Sequence, residues 1–217
     1  MRFRIDLKIF IFLILFYFTK QIELYATIMF FCIIHELGHL ISGILLGMKP
    51  EKLELMPFGL SVSFKLYPKD YNKKIGKSNL LEIKKILVAI AGPLTNLVII
   101  FIIKNIDVNF LSNKICIYAN LLIMLFNLIP IYPLDGGRIL KGVLSLKFGK
   151  KKAREYSNNI SNLFIIILTV ISSIAIYYFK NIAIFVIIIF LWLLVIKENK
   201  IHRQMIEAYE IIERGGP

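Results

Sequence analysis

The chain has 217 residues, 58% of them hydrophobic, and a formal net charge of +13. A mean hydropathy of +0.73 is too high for one soluble domain and points to a polytopic membrane protein. On a soluble chain the positive charge would suggest nucleic acid; here the lysines fall between apolar segments, where membrane topology accounts for them and no nucleic acid is expected.

Six apolar segments follow in order, roughly Ile9 to Phe18 with an extension back towards Ile5, Leu24 to Met48, Ile86 to Ile103, Phe110 to Ile131, Ile160 to Phe179 and Ile182 to Ile196. A spanning helix needs about 20 apolar residues, so the first and last are short. The expectation is an all-α polytopic membrane protein of about six transmembrane helices. Arg2 to Phe18 imitates a signal peptide, yet no small-residue cleavage site follows, and the segment is expected to stay as an anchor. With a cytosolic N-terminus, 23 of the 27 Lys and Arg residues lie on the inner side, and only Lys20, Lys104, Lys114 and Lys180 lie outside. Both termini are therefore expected in the cytosol of a multi-pass protein in the lipid bilayer. Cys32 and Cys116 sit in apolar runs without paired spacing, so neither a disulfide framework nor a thiolate metal site is indicated.

The second segment carries His35-Glu36-Leu37-Gly38-His39, an H-E-x-x-H pattern. Residues four apart on a helix differ by about 40° around its axis, so both imidazoles can aim at one ion. Glu36 projects beside that ion, where it could take a proton from a metal-bound water as general base. A glutamate flanked by histidines at lipid depth is costly, on the order of 3 kcal/mol per charged group, and so calls for a functional reason.

Next comes a stretch of period two: Leu53 and Leu55 alternate with Lys52 and Glu54, and Val62, Phe64 and Leu66 with Ser61, Ser63 and Lys65, around Pro57-Phe58-Gly59. This predicts a small membrane-associated β-hairpin between helices two and three. It either caps the bundle or offers an edge to an extended substrate. The third segment holds Ala91-Gly92-Pro93-Leu94-Thr95-Asn96, read mainly as a kink packed against a neighbour. The fourth runs into Asn127-Leu128-Ile129-Pro130-Ile131-Tyr132-Pro133-Leu134-Asp135-Gly136-Gly137-Arg138, whose prolines and glycines present Asp135 from irregular backbone. Asp135 could cap the next segment or pair with Arg138; read with His35 and His39 it supplies a third metal ligand and leaves a fourth position for water. Residues 197–217 form a charged, amphipathic cytosolic tail containing His202.

Together, H-E-L-G-H in one span, A-G-P-L-T-N in the next and N-x-x-P-x-x-P-L-D-G-G after the fourth resemble the site-2 protease family of intramembrane zinc metalloproteases. The spans, hairpin and tail are most similar to the sporulation-protease branch of that family. The resemblance implies one Zn²⁺ per chain held by His35, His39 and Asp135, with Glu36 activating water, and Asn127, Pro133 and Phe58 near substrate. It further implies a membrane-associated protein substrate, pro-sigma-K, inhibitory membrane partner proteins, and a place in the outer forespore membrane of an endospore-forming bacterium. Residues 1–196 would be the transmembrane metalloprotease domain, with no CBS domain in the tail. Two other readings remain from the residues alone: a membrane metal transporter, which explains Glu36 and the hairpin poorly, and an inactive protease-like binding module, against which the retained His35, Glu36, His39 and Asp135 argue.

Overall fold

The computed structural model describes residues 2–56, 59–65, 75–105, 112–180 and 182–214. Its elements are β1 (Arg2–Ile5), α1 (Lys8–Phe18), α2 (Ile22–Leu45), β2 (Lys49–Met56), β3 (Gly59–Lys65), α3 (Ile75–Asn105), α4 (Asn113–Asn127), α5 (Asp135–Phe148), α6 (Lys150–Phe179) and α7 (Ile182–Arg214). They fall into two units, Met1–Asn127 and Leu128–Pro217. The molecule is mostly helical, as expected. Among the described residues three helical stretches, Ile22–Leu45, Asn79–Asn105 and Lys150–Tyr178, are long and apolar enough to cross a membrane. Helices α1 and α4 are apolar but only 11 and 15 residues long, so six full-length spans are not what the helix lengths give.

In the first unit, α2 buries Phe31, Cys32, His35, Glu36, His39 and Gly43 at steps of one to four residues. Phe30, Leu37, Ile41 and Ile44 are exposed. This reverses the usual amphipathic arrangement: polar groups face protein and aliphatic side chains face outward, as suits a helix surrounded by lipid. Phe31 and Cys32 pack with Ile103 of α3 and Cys116, Ala119 and Ile123 of α4 in one buried cluster. Apolar burial alone does not hold such helices together in a bilayer; close packing through small residues does. Gly38 supplies that contact, since a Cβ there would lie 2.1 Å from Thr95 Oγ1 and 3.1 Å from the Ala91 carbonyl. The Ala91 to Asn96 segment thus packs against α2, with Pro93 accommodated inside α3.

The hairpin is present and belongs to a larger sheet. β2 and β3 pair antiparallel, Lys49 opposite Lys65 and Leu53 opposite Val62. β1 adds to the far side of β2 in parallel, Arg2 opposite Lys52 through Ile5 opposite Leu55, giving the order β1-β2-β3. Sequence reasoning drew Ile5 towards the first helix. Arg2-Phe3-Arg4-Ile5 does alternate basic and apolar residues, but four residues are too few to stand out beside an eleven-residue apolar helix. The tip at Pro57 and Phe58 lies outside the described residues. Leu53 and Val62 are buried opposite one another, and Gly43 of α2 opens the room that the Phe64 ring fills, a Cβ there falling 2.2 Å from the ring. The sheet is therefore seated against the second half of α2. Lys84 of α3 donates to the Leu46 carbonyl at 2.7 Å, satisfying one of the acceptors left at the end of that helix.

In the second unit, α5 is amphipathic and the long helices α6 and α7 pack together, with Ala153, Ile165, Leu191 and Val195 buried. Trp192 Nε1 donates to Thr169 Oγ1 at 3.0 Å and Asn199 Nδ2 to Asn162 Oδ1 at 3.0 Å. The charged tail is the continuation of the last apolar helix: α7 runs unbroken from Ile182 to Arg214.

Candidate active site

One turn of α2 separates His35 from His39, and both are buried. Each ring is anchored by its Nδ1. His35 Nδ1 contacts Asn96 Oδ1 of α3, and His39 Nδ1 donates to the Val88 carbonyl at 2.6 Å. The Gly92 N–H also lies 3.3 Å from His39 Nδ1, but a ring nitrogen cannot donate and accept in its plane at once; the shorter contact, to an atom that only accepts, places the proton on Nδ1. Both Nε2 atoms are then lone-pair donors, and they stand 3.2 Å apart. Two lone pairs at that separation repel unless a cation lies between them, and neutral imidazoles with the proton on the far nitrogen are the form in which histidine binds metals.

The space around them is kept open by a missing side chain. A Cβ on Gly92 would fall 2.3 Å from His39 Nε2 and 2.6 Å from His35 Nε2. The glycine of the A-G-P-L-T-N segment, which sequence reasoning took for a packing residue, therefore leaves room at the two nitrogens.

Glu36 is buried on the same face. Its Oε1 accepts the backbone N–H of Val62 in β3 at 2.6 Å, and its Oε2 stands 4.0 Å from His39 Nε2. The carboxylate is thus tied at one oxygen and directed at the other towards the histidine nitrogens. A hydrogen bond between an amide and a carboxylate is worth about 1.5–3 kcal/mol, enough to fix how this side chain is turned.

Asp135 belongs to the second unit, where it is the first residue of α5 and buried. The turn before it is close-packed backbone: a Cβ on Gly136 would meet the Leu128 carbonyl oxygen at 2.1 Å, and one on Gly137 the Ile131 carbonyl carbon at 2.4 Å. Only glycine fits at either place. Ile131 N–H donates to Ile129 O, Leu134 N–H to Ile131 O and Arg138 N–H to Leu134 O, while Tyr132 N–H is taken by Ser161 Oγ of α6 at 3.0 Å. Arg138 Nη1 lies 3.7 Å from Asp135 Oδ1, the pairing anticipated from spacing alone.

Residues 103–171 match the model of Peptidase family M50. A zinc metalloprotease of Methanocaldococcus jannaschii is 33% identical over 135 residues, 59% of this chain and 36% of the relative. Stage IV sporulation protein FB of Bacillus subtilis is 27% identical over 154 residues, 69% of this chain and 50% of the relative. The chain thus spans half or less of these relatives' own lengths. The solved site-2 protease from Methanocaldococcus jannaschii superposes with a TM-score of 0.65 at 24% identity, covering 89% of this chain and 88% of that one, which shows a shared fold. The chain has the site-2 protease fold. Three long apolar helices in a chain of this fold make it an integral membrane protein.

Asn127 ends α4 with its Nδ2 donating to the Ile123 carbonyl at 3.0 Å, and Pro133 is half-buried in the turn before Asp135, after a cis Tyr132–Pro133 bond. Phe58 lies outside the described residues. Sequence reasoning gave Val88 no role, and read Gly92 and Asn96 as parts of a packing kink and Val62 as a strand residue, not as supports of the site. The first three come from a helix more than 45 residues along the chain, and Val62 acts through its backbone, so no spacing rule within α2 could have found them.

Proposed function

We propose that the chain is an intramembrane zinc metalloprotease that hydrolyses a peptide bond of a membrane-associated protein. The observation that carries this reading is the pair of histidine Nε2 atoms 3.2 Å apart, beside a buried glutamate and opposite a glycine. His35, His39 and Asp135 are all buried and form a donor set that suits zinc, two imidazoles and one carboxylate. In this reading these three hold one ion per chain. When bound, zinc supplies Lewis acidity for activating water and stabilising charge on the carbonyl oxygen.

The chain's own residues do the rest. Glu36 accepts a proton at Oε2 and returns it to the leaving amine, while the Val62 N–H keeps its other oxygen fixed so that the carboxylate does not rotate away. Asn127, Pro133 and Phe58 lie along the substrate path in this proposal. An extended substrate segment adds to an edge of the three-stranded sheet, of which β3 already touches Glu36; a peptide must leave its helix before its carbonyl can be attacked. Six crossings with cytosolic termini, the shorter helices α1 and α4 and the apolar half of α7 among them, agree with the charge distribution. Residues 1–196 are then the membrane protease domain and 197–217 a cytosolic tail. Likeness to the sporulation protein of Bacillus subtilis supports pro-sigma-K as the substrate, with inhibitory membrane partners and the outer forespore membrane as the setting.

The test is co-expression with membrane-tethered candidate substrates, with product mass and bound zinc both measured. Glu36→Gln should keep zinc near one per chain and lower cleavage by about 10² to 10⁴. Asp135→Ala should lose both metal and cleavage. Wild-type cleavage by Glu36→Gln, or full zinc in Asp135→Ala, would remove the corresponding role.

A further inference from the structure

Beyond the histidines, the hydrogen bonding continues away from the site. Asn96 Nδ2 donates to Asn120 Oδ1 of α4 at 2.8 Å, and Asn120 Nδ2 donates to the Cys116 carbonyl at 2.8 Å. Both asparagines are 0% exposed. No solvent reaches them to repair a mismatched pair, so each amide must be matched by protein.

A backbone carbonyl only accepts, and this fixes the direction of every bond in the row. Cys116 O requires the amino end of Asn120, which leaves Asn120 Oδ1 facing α3. That oxygen requires the amino end of Asn96, which leaves Asn96 Oδ1 facing His35. An oxygen at that position requires N–H on His35 Nδ1. Turning either amide round would set two amino groups or two oxygens against each other. The proton of His35 is thus decided three partners away, by a main-chain carbonyl in α4.

We propose that Asn96 and Asn120 are positioning residues for the metal centre: a polarised pair of amides, anchored on α4, that holds His35 in the Nδ1–H form and aims its Nε2. The proposal rests on the zinc reading above and adds residues that touch no substrate. The pair is also uncharged. A carboxylate at position 96 would accept from His35 equally well, but it would leave Asn120 Oδ1 without its donor and bring another negative charge to a buried site that already holds Glu36. His39 needs no such row, because Val88 O accepts from it directly. Loss of the row should therefore loosen one ligand and spare the other.

The experiment uses the full chain purified in detergent, stripped of metal and titrated with cobalt(II). The readouts are the visible bands of the bound ion and the affinity from competition with a chelator. Asn96→Leu should bind cobalt 10- to 100-fold more weakly, the range found when a partner behind a metal-bound histidine is lost, with shifted bands. Asn120→Leu should show a smaller loss and the same direction of band shift, although it lies one residue further from the metal ligands. In the double variant the Asn120 change should add nothing to the effect of Asn96→Leu. Helix content and thermal transitions of the metal-free variants report folding, and if Asn96→Leu does not fold, the bands of Asn120→Leu decide alone. Wild-type bands and affinity in Asn120→Leu, or additive losses in the double variant, would overturn the row while leaving the zinc site standing. Failure of the unmutated chain to bind cobalt would instead overturn the zinc reading and the row with it.

Discussion

Replacing Gly92 by alanine tests the open space at the histidine nitrogens. In an ordinary helix interior this change stabilises by about 1 kcal/mol, because glycine loses more backbone freedom on folding. Here the new methyl would lie 2.3 Å from His39 Nε2, whereas real contacts of this kind do not fall below 3.0 Å, so ring or helix must move by at least 0.7 Å. The ring is held by a 2.6 Å bond from Nδ1 to Val88 O. A shift of that size along the bond stretches it past the ~3.2 Å limit of a sound N–H···O contact. His35, 2.6 Å from the same methyl, must move as well. Two buried hydrogen bonds weakened at about 1–3 kcal/mol each, less the helix gain, leave about 1–5 kcal/mol against the metal-binding arrangement. At about 1.4 kcal/mol per factor of ten, zinc affinity should fall by roughly 5-fold to about 4 × 10³-fold, read by chelator competition, and cleavage should fall with it. Gly47→Ala is the control: its φ of +76° makes alanine strained, but a Cβ there meets nothing within 4 Å, so it should lower thermal stability by about 1 kcal/mol without touching zinc. Wild-type zinc affinity in Gly92→Ala would refute the reasoning, because no arrangement with both rings in place accommodates the methyl.

Val62→Pro removes the N–H that holds Glu36 Oε1 and should lower cleavage about tenfold or more at unchanged zinc content, whereas Val62→Ala, which keeps the N–H, should stay within a few-fold of wild type; equal losses in the two would show that the side chain matters instead. The His202 pKa is lowered by burial, then by Arg154 and Lys141 with Glu155 opposing, so its neutral form is favoured by the fold; the associated stability is present above the ordinary value of 6.5 and is lost as pH falls below it. Thermal unfolding in detergent should therefore show an acid-side slope that His202→Asn flattens, and an unchanged slope would dismiss the effect. A cysteine at Lys150 should react with an impermeant thiol reagent only after the membrane is opened, with Cys32 and Cys116 silent because both are buried; labelling in intact cells would reverse the proposed orientation.

The parts of the site legible in the sequence are those that one helix brings together. His35, Glu36 and His39 lie within two turns of α2, so spacing converts directly into geometry. The hairpin was legible because alternation at Leu53 and Val62 records burial against α2. Val88, Gly92 and Asn96 depend on how α3 is set against α2, which turns on the 2.1 Å approach at Gly38 and has no periodic signature. Asn120 was hidden in an apolar run for the same reason. The contribution of Val62 is an amide that every residue but proline carries, so its identity says nothing about it. Helix α5 did leave a trace, since Ile139, Val143 and Leu146 recur at helical steps, but the glycines and charged residues of Asp135 to Arg138 disguised its start.

The parallel pairing of β1 with β2 sets where α1 begins and which way it runs. The sheet lies along α2 from Gly43 back to Glu36, so β2, leaving the end of α2, climbs towards the middle of that helix, and β1 climbs beside it in the same direction. Phe16 of α1 stacks on Tyr25 of α2 at 4.7 Å across a short connection, so α1 continues the ascent antiparallel to α2. β1 carries Arg2 and Arg4 and α1 opens on Lys8, so this start belongs at the polar surface, and the eleven helical residues rise only about 16 Å of the ~30 Å of a bilayer's hydrocarbon. α1 by itself therefore covers about half of that thickness, and the strand before it ties its start to the sheet on α2. Removing residues 2–5 should strip the sheet of its β1 edge and lower the thermal transition of the detergent-purified chain, and an unchanged transition would show that β1 adds nothing to the hold of the sheet on α2.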